Sequence, residues 1–171
     1  AVVDRLGAFR EAAGGTLLLD DVDELPAKLQ PILLRVLDTG MVKPLGARDA
    51  VPVDARIVAT TKRDLRQVVD EGGFREDLFY RLNVVPVTVP SLSERRDDIP
   101  ALAAHFFARY AAEQGLPPPT ISDEAMAALQ AYDWPGNVRQ LRNVVERTVI
   151  LTPREEFDTV EPGMLAGEVT G

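Results

Sequence analysis

The sequence predicts an α/β region over residues 1–91, followed by a smaller all-helical region over residues 92–152 and a tail over residues 153–171. In the first region, short apolar runs alternate with helical patterns, as in a sheet whose strands are joined by crossover helices. After Ser91 the strand pattern stops and apolar residues recur at helical spacing. After Thr152 the periodicity is lost, so we expect a linker or a frayed end there.

The first strand is predicted at Thr16–Leu19, an apolar run that follows two glycines and ends at two aspartates. Such a continuous run is typical of a strand that is buried on both faces. A helix is then expected over residues 26–38, because apolar residues share one face and Pro26 suits a first turn. Pro31 argues against this helix, since a proline inside a helix removes a hydrogen bond.

The remaining elements follow from the same rules of periodicity and of turn residues. In the first region they are a loop or irregular hairpin over 41–53, a strand over 55–59, a short helix over 64–71 and a third strand over 84–89. In the second region, a helix is predicted from a stripe with helical spacing, formed by Ile99, Leu102, Ala103, Phe106, Phe107 and Tyr110. Two more helices are predicted over 122–131, with Ser122 as N-cap, and over 137–151.

Composition excludes several classes of function. The 171 residues contain 19 basic and 27 acidic side chains, so we do not expect this chain itself to bind nucleic acid. It has no cysteine and a single histidine, His105, which argues against a disulfide framework, a thiolate zinc site and a Ser-His-Asp triad. No apolar run approaches the roughly 20 residues that cross a bilayer. We therefore expect a cytoplasmic protein without a membrane partner.

Asp20 and Asp21 come directly after the first predicted strand. Ligands of open parallel sheets bind at the carboxyl ends of the strands. A carboxylate held there can bind Mg²⁺ or its water, while a neighbouring carboxylate polarises a nucleophilic water. The alternative, equally weighted on this string alone, is a solvated acidic turn.

Residues 60–62, Thr-Thr-Lys, end the second predicted strand in the same way, so they are expected at the same edge of the sheet. A turn is the simpler interpretation of that string. Arg75 and Arg81 lie six residues apart on different faces of a short predicted helix. Fixed guanidinium groups stabilise the charge on a transferring phosphoryl group. The alternative is a surface ion pair with Glu76 or Asp77.

Arg139 is expected in the first turn of the last predicted helix, where a cation opposes the helix dipole. A bound anion would resolve that conflict. The position therefore suggests an anionic ligand.

Taken together and in order, these strings resemble a known family: GGTLLLDD, ELPAKLQPILLRVLDTG, PVDARIVATTKRDL, GGFREDLFYRLNVVPVTVP and YDWPGNVRQLRNVVERTVIL. They are similar to the central AAA+ domain of bacterial enhancer-binding proteins, the NtrC-like ATPases that activate sigma-54 RNA polymerase. The similarity covers about residues 5–152. It implies part of a P-loop-type α/β subdomain followed by a small α-helical lid subdomain, with ATP and Mg²⁺ as ligands.

The resemblance also implies roles for single residues. Asp20 corresponds to the Walker B aspartate that organises Mg²⁺ through a water molecule, and Asp21 stands where the family usually has a glutamate that polarises the attacking water. Arg75 and Arg81 correspond to the arginines offered to the nucleotide of a neighbouring subunit. These four residues are the expected catalytic set.

Three further residues are implied to bind the nucleotide. Thr61 and Lys62 correspond to the sensor I pair, and Arg139 corresponds to sensor II on the lid. Lys62 replaces a frequent asparagine and Asp21 replaces the usual glutamate. These two positions are where the site departs from the family pattern.

The activity that the resemblance implies belongs to a homo-oligomeric ring, typically a hexamer, that moves a loop against the sigma-54 RNA polymerase holoenzyme to open promoters. That loop and the phosphate loop are expected upstream of residue 1, because no G-x-x-x-x-G-K-[ST] string occurs in these residues. The 171 residues alone are therefore expected to be inactive as an ATPase. Receiver and DNA-binding domains are expected on either side.

Two other interpretations stay open. One is a non-enzymatic AAA+-derived module for oligomerisation or regulation, which the missing phosphate loop and the adjacent aspartates would suit. The other is a Mg²⁺ phosphohydrolase built on Asp20, Asp21 and Asp23, which would leave the two arginines without a role.

Overall fold

The structure is a computed structural model that describes residues 7–44, 46–165 and 167–170. The chain forms two compact units, with the division between Val87 and Thr88. No helix among the described residues is long and apolar enough to cross a membrane.

The first unit combines short strands with helices. Its elements are α1 (Ala8–Glu11), β1 (Thr16–Leu19), α2 (Gln30–Thr39), β2 (Met41–Val42), β3 (Val51–Pro52), β4 (Arg56–Ala59), α3 (Leu65–Asp70) and α4 (Glu76–Leu82). A loop or irregular hairpin was expected over 41–53, and the hairpin is what forms, since β2 and β3 pair in antiparallel fashion; position 45 of that range lies outside the described residues. The helix expected over 64–71 is confirmed as α3, which begins after Asp64 as its N-cap.

β1 and β4 pair in parallel, with Leu17 opposite Ile57 and Leu19 opposite Ala59. Both strands lie where the sequence predicts them. The expectation that β1 is buried on both faces is wrong, because Leu18 is 56% exposed. The face that carries Leu19 packs against the apolar core of the unit, whereas Leu18 points to the opposite face of the pleated strand.

α2 begins at Gln30 instead of near Pro26. Pro31 lies in its first turn, where a missing N–H costs nothing because that donor has no partner within the helix. The proline that argued against a helix therefore marks its start. α2 ends at Thr39, and its C-cap residue Gly40 has a φ of 64°, a left-handed conformation that glycine adopts without strain.

α2, α3 and α4 enclose the core of the first unit. Its buried members are Leu33, Val68, Phe74, Leu78 and Phe79. Leu78 is fully buried in the middle of α4. This packing holds the helix that carries the two candidate arginines against α2.

The third strand expected over residues 84–89 does not form, and this prediction is wrong. Val84, Val85, Val87 and Val89 are between 73% and 81% exposed, and the segment has no regular structure. A strand needs a neighbour that completes its backbone hydrogen bonds. None of the strands in the described residues pairs with this segment.

The second unit is built on three long helices. Its elements are α5 (Ile99–Glu113), β5 (Thr120–Ile121), α6 (Asp123–Ala131), α7 (Asn137–Leu151), β6 (Thr159–Val160) and α8 (Gly167–Thr170). The three expected helices are confirmed as α5, α6 and α7. The hydroxyl of Ser122 accepts a hydrogen bond from the Ala125 amide at 3.2 Å, which confirms the predicted N-cap of α6.

The residues after Thr152, expected as a linker or tail, instead pack onto the second unit. β6 pairs in parallel with β5, and Phe157, Val160 and Leu165 are buried in the core of the unit. Short turns and a two-residue strand replace helical periodicity in this segment, so its apolar residues gave no pattern in the sequence.

Candidate functional site

The carboxyl ends of β1 and β4 bring together Asp20 and Thr60. The Thr60 hydroxyl donates to Asp20 Oδ1 at 2.6 Å and accepts a hydrogen bond from the Asp21 amide at 3.0 Å. The backbone continues the ladder here, because the Thr60 amide donates to the Leu19 carbonyl at 2.9 Å. Parallel pairing therefore places the first acidic residue and the threonine at one edge, as the sequence predicts.

Thr60, rather than Thr61, makes the contact with Asp20. The Thr61 hydroxyl donates to the Arg63 carbonyl at 2.8 Å and accepts from the Arg63 amide at 3.2 Å. It thus closes its own turn in this structure. A nucleotide contact of Thr61 stays a prediction. The hydrogen bond between Thr60 and Asp20 was not predicted from the sequence.

Asp21 adopts a left-handed backbone, with a φ of 53° and a ψ of 55°. This conformation is uncommon for residues other than glycine, although aspartate tolerates it better than most. It starts the 3₁₀ turn at Val22–Glu24, and the side chain of Asp21 is 30% exposed. Asp20 and Asp21 are adjacent, but Asp20 directly follows strand β1 whereas Asp21 has a left-handed backbone, and the two side chains make different contacts.

Lys62 contacts the acidic residues that follow β1. Its Nζ lies 2.8 Å from Asp21 Oδ2 and 3.1 Å from Glu24 Oε1, and its amide donates to Asp23 Oδ1 at 3.4 Å. The hydrogen bond to Asp21, and then the one to Glu24, raise the pKa of Lys62 well above its ordinary value. The ammonium group therefore stays charged at neutral pH and holds the Asp21 carboxylate.

Among these carboxylates, that of Asp20 is suited to bind a metal ion through a water molecule. No group of three or more histidine, cysteine, aspartate or glutamate side chains in the part of the chain that the structure describes converges on a metal position. A direct cage made of Asp20, Asp21 and Asp23 is therefore not formed. Asp20 is exposed, and its Oδ1 is oriented by Thr60 at the end of a strand. It fits the outer-sphere role, in which a carboxylate holds the water of a bound Mg²⁺.

Arg75 and Arg81 occupy the two ends of α4 and are both about half exposed. Arg75 is the N-cap residue, and its guanidinium makes two hydrogen bonds to the carboxylate of Asp77, at 3.0 and 2.7 Å. That pairing lowers the pKa of Asp77 and raises the pKa of Arg75. The surface ion pair anticipated for Arg75 is thus formed with Asp77.

Arg81 has a different environment. Its Nη2 donates to the Leu37 carbonyl at 2.7 Å, and its Nε lies 3.2 Å from Asp38 Oδ1. Both partners lie in the last turn of α2, where the negative end of the helix dipole favours a cation. Arg81 therefore links α4 to α2.

Arg139 lies in the second unit, in the first turn of α7. Its side chain is exposed, and no hydrogen bond or ion pair joins it to another described residue. α7 starts at Asn137, which has a φ of 50°, as does Trp134 in the turn that precedes the helix. The unfavourable position of this cation, noted from the sequence, thus persists in the folded unit and suits an anionic ligand.

Two family matches cover most of the chain. Residues 1–88 match the family described as the sigma-54 interaction domain, and residues 93–169 match the AAA+ ATPase lid domain. The chain belongs to the sigma-54-dependent activator family. It represents a C-terminal part of the AAA+ domain of that family, with the α/β fragment followed by the helical lid.

The relatives are bacterial transcriptional regulators. The chain is 50% identical to the transcriptional regulatory protein GlrR of Escherichia coli (strain K12) over 172 residues, which cover 99% of the chain and 38% of that protein. It is 49% identical to the DNA-binding transcriptional regulator NtrC of Azospirillum brasilense over 157 residues, covering 91% of the chain and 32% of that protein. It therefore spans less than half the length of these relatives.

Solved structures support the same assignment. NtrX from Brucella abortus, crystallised with ADP, is 45% identical, with a TM-score of 0.92 over 100% of this chain and 39% of that one. NtrX from the same organism with ATP is 46% identical, with a TM-score of 0.89 over 96% of this chain and 39% of that one. One of these NtrX structures is a complex with ADP and the other is a complex with ATP.

Proposed function

We propose that this chain is the part of a sigma-54 activator ATPase that runs from the Walker B strand to the lid. In the intact protein it hydrolyses ATP within a homo-oligomeric ring and uses that energy to remodel the sigma-54 RNA polymerase holoenzyme at promoters. The observation that carries the proposal is the pairing of Asp20 with Thr60 at the carboxyl edge of two parallel strands. Mg²⁺, when bound there, neutralises phosphate charge.

Asp20 holds the metal position through a water molecule, and Asp21 orients the attacking water. The ion pair between Asp21 and Lys62 bears directly on the second role. The Lys62 ammonium group, 2.8 Å from Oδ2, already occupies a carboxylate oxygen that would bind the attacking water. Water activation by Asp21 therefore requires Lys62 to move its Nζ toward Glu24 or toward a bound phosphate.

Arg75 and Arg81 act on the nucleotide of the neighbouring subunit. Arg75 is held mainly by Asp77, in an exposed pair of a kind that contributes little to stability, so its guanidinium can exchange this partner for a phosphate at small cost. Thr61 and Lys62 contact the nucleotide from the end of β4. Arg139, an unpaired cation among the described residues, supplies the contact from the lid.

The decisive experiment measures steady-state ATPase activity and sigma-54-dependent transcription for the full-length protein with Asp20→Ala. We expect both activities to fall together, because they draw on the same hydrolysis step. The matched control is Asp49→Ala, which removes an exposed carboxylate in the loop between β2 and β3, away from the strand ends. Equal activity of the Asp20→Ala and control proteins would contradict the proposal.

A second candidate is a non-enzymatic AAA+-derived module that assembles or regulates a partner. It is favoured by one observation, the engagement of Asp21 by Lys62. This candidate predicts that the full-length protein forms rings without measurable ATP turnover. Activity in the ATPase assay, abolished by Asp20→Ala, would exclude it.

A further inference from the structure

Gln30 is a buried polar residue to which the sequence assigns no role. Its side chain is 1% exposed and lies at the start of α2, beside the apolar core of the first unit. A buried amide is costly unless its hydrogen bonds are made. All of the amide's donors are used here, since Nε2 donates to the carbonyls of Leu25 and Gly73, each at 3.0 Å.

The carbonyl oxygen of the same side chain holds the backbone of Arg75. Gln30 Oε1 accepts a hydrogen bond from the Arg75 amide at 2.8 Å. Arg75 precedes the first turn of α4, so its amide has no acceptor within that helix. Gln30 thus satisfies an otherwise orphaned donor across 45 positions of sequence.

The loop that leads to Arg75 is fixed at the same point. Gly72 has a φ of 77°, and a Cβ added to Gly73 would lie 3.1 Å from Cγ1 of Val68. The next residue, Phe74, is 4% exposed and belongs to the core. The backbone of Arg75 is therefore held from both sides, whereas its guanidinium is about half exposed and bound only to Asp77 among the described residues.

We infer that Gln30 is a positioning residue that fixes the backbone of Arg75, so that its guanidinium reaches the nucleotide of a neighbouring subunit. The inference rests on the proposed function, because it assigns Gln30 an effect on the reaction in the adjacent subunit. A residue that only stabilised the fold would affect its own subunit's site and the neighbouring site alike. This difference makes the inference testable.

The test uses the full-length protein with Gln30→Met, which keeps most of the side-chain volume and removes all three hydrogen bonds. A misplacement of about 1 Å can cost roughly 10²-fold in rate. We expect kcat to fall roughly 10- to 100-fold, with nucleotide affinity within about twofold of wild type. The fall arises because the altered subunit offers a misplaced arginine.

Mixed rings separate positioning from folding. A Gln30→Met subunit keeps its own Asp20, and an Asp20→Ala subunit keeps a well-placed Arg75. Mixing these two variants should restore ATPase activity above that of either alone, because one type of interface then combines two intact halves. Mixing Gln30→Met with Arg75→Ala should restore none, since both variants lack the same half.

Two further variants serve as controls. Gln30→Glu still offers an oxygen to the Arg75 amide, but it faces the carbonyls of Leu25 and Gly73 without donors. It should therefore have a lower Tm than Gln30→Met and yet a higher kcat. Leu33→Ala removes a buried side chain from the same helix and should lower Tm without producing the selective recovery in mixed rings.

Three results would overturn the inference: a wild-type kcat for Gln30→Met, no recovery with Asp20→Ala, or equal recovery with Arg75→Ala. Failure of Arg75→Ala and Asp20→Ala to complement each other would overturn the role of Arg75 across the interface, and the inference with it. The mixtures thus distinguish failure of the positioning role from failure of the proposed function.

Discussion

Lys62 Nζ lies 2.8 Å from Asp21 Oδ2, so the two residues at which this chain departs from the family pattern are in contact. The family usually has a glutamate at the position of Asp21 and often an asparagine at that of Lys62. A shorter carboxylate and a longer cation meet here across the ends of β1 and β4. The two departures therefore form one structural unit, and they should be tested together.

The first prediction is that Asp21 and Lys62 are energetically coupled in turnover. Residues in direct contact commonly show non-additive effects, unlike distant pairs. We expect Lys62→Met to change kcat at least about threefold when Asp21 is present and by less than that in the Asp21→Ala background. The measurement is a double-mutant cycle on the ATPase activity of the full-length protein, and additive effects would contradict the coupling.

The second prediction separates the two aspartates by metal dependence. Asp20→Ala should weaken nucleotide binding in the presence of Mg²⁺ and leave it unchanged in EDTA, because the lost group holds the metal's water. Asp21→Ala should lower kcat roughly 10²-fold, as for a lost general base, with little effect on affinity.

Asp21→Glu is the matched control, since it restores the reach of the family residue and should retain activity. Nucleotide titration with and without the metal, beside steady-state ATPase rates, tests the assignment. An Asp21→Ala protein with the parental rate would show that Asp21 does not activate the water.

The candidate edge was predictable from the sequence because parallel strands end on one side of a sheet. The runs before Asp20 and Thr60 were sufficient for that inference. The contact of Lys62 with Asp21 was not predictable, since it depends on the left-handed backbone of Asp21. The role of Gln30 was missed for a related reason. Two of its three hydrogen-bond partners, Gly73 and Arg75, lie 43 and 45 positions away, and no local sequence pattern reports such contacts.

For secondary structure too, elements that depend on local patterns were predictable and elements that depend on distant contacts were not. The helices α5, α6 and α7 were predicted closely, because their apolar stripes and the Ser122 cap are local signals. The strand expected over residues 84–89 failed because local composition does not supply a pairing partner. For the residues after Thr152, the sequence predicted too little structure, because isolated residues such as Phe157 and Val160 are buried without any periodic pattern.

The third prediction concerns stability of the second unit. Arg96 Nη1 lies 2.5, 2.8 and 2.9 Å from the carbonyls of Gln130, Ala131 and Tyr132, and Nη2 donates to Asp133 Oδ1 at 2.6 Å. The guanidinium therefore satisfies carbonyls at the C-terminal end of α6.

Arg96→Ala should destabilise the protein by about 1.5–3 kcal/mol, the usual range for hydrogen bonds to charged groups. Arg109→Ala is the matched control, because Arg109 forms an exposed ion pair with Glu113 on the surface of α5. Thermal unfolding of both variants gives the comparison, and equal losses would contradict a capping role for Arg96.

The fourth prediction is that the stability of the protein depends on pH through the ionisation of Glu94. The hydroxyl and the amide of Ser91 both donate to Glu94 Oε2, at 2.7 and 2.8 Å, and these bonds lower the pKa of Glu94. A carboxyl whose pKa is lower in the folded protein stabilises it above the unfolded pKa of about 4.3. That contribution is lost as the pH falls through the lowered folded value.

Glu94→Gln should therefore be less stable than wild type at neutral pH, and the difference should shrink below about pH 4. Melting temperatures measured from about pH 3 to pH 7 test this. Glu124→Gln, an exposed carboxyl in the first turn of α6, is the control. A difference that grows on acidification would contradict the assignment.

The last prediction distinguishes Arg75 from Arg81. Both are expected to act across the subunit interface, where loss of an arginine finger can cost roughly 10³-fold in turnover. Only Arg81 also donates to a carbonyl, that of Leu37, in the last turn of α2. Arg81→Ala should therefore lose about 1 kcal/mol of stability in addition to activity, whereas Arg75→Ala should lose activity alone.

Arg81→Lys keeps a cation at the end of α2 and should recover stability without recovering turnover, because a lysine cannot reproduce the planar guanidinium. Urea unfolding and ATPase rates of the three full-length variants supply the comparison. If Arg75→Ala unfolds at lower urea than Arg81→Ala, the contacts of α4 with α2 depend on Arg75 instead.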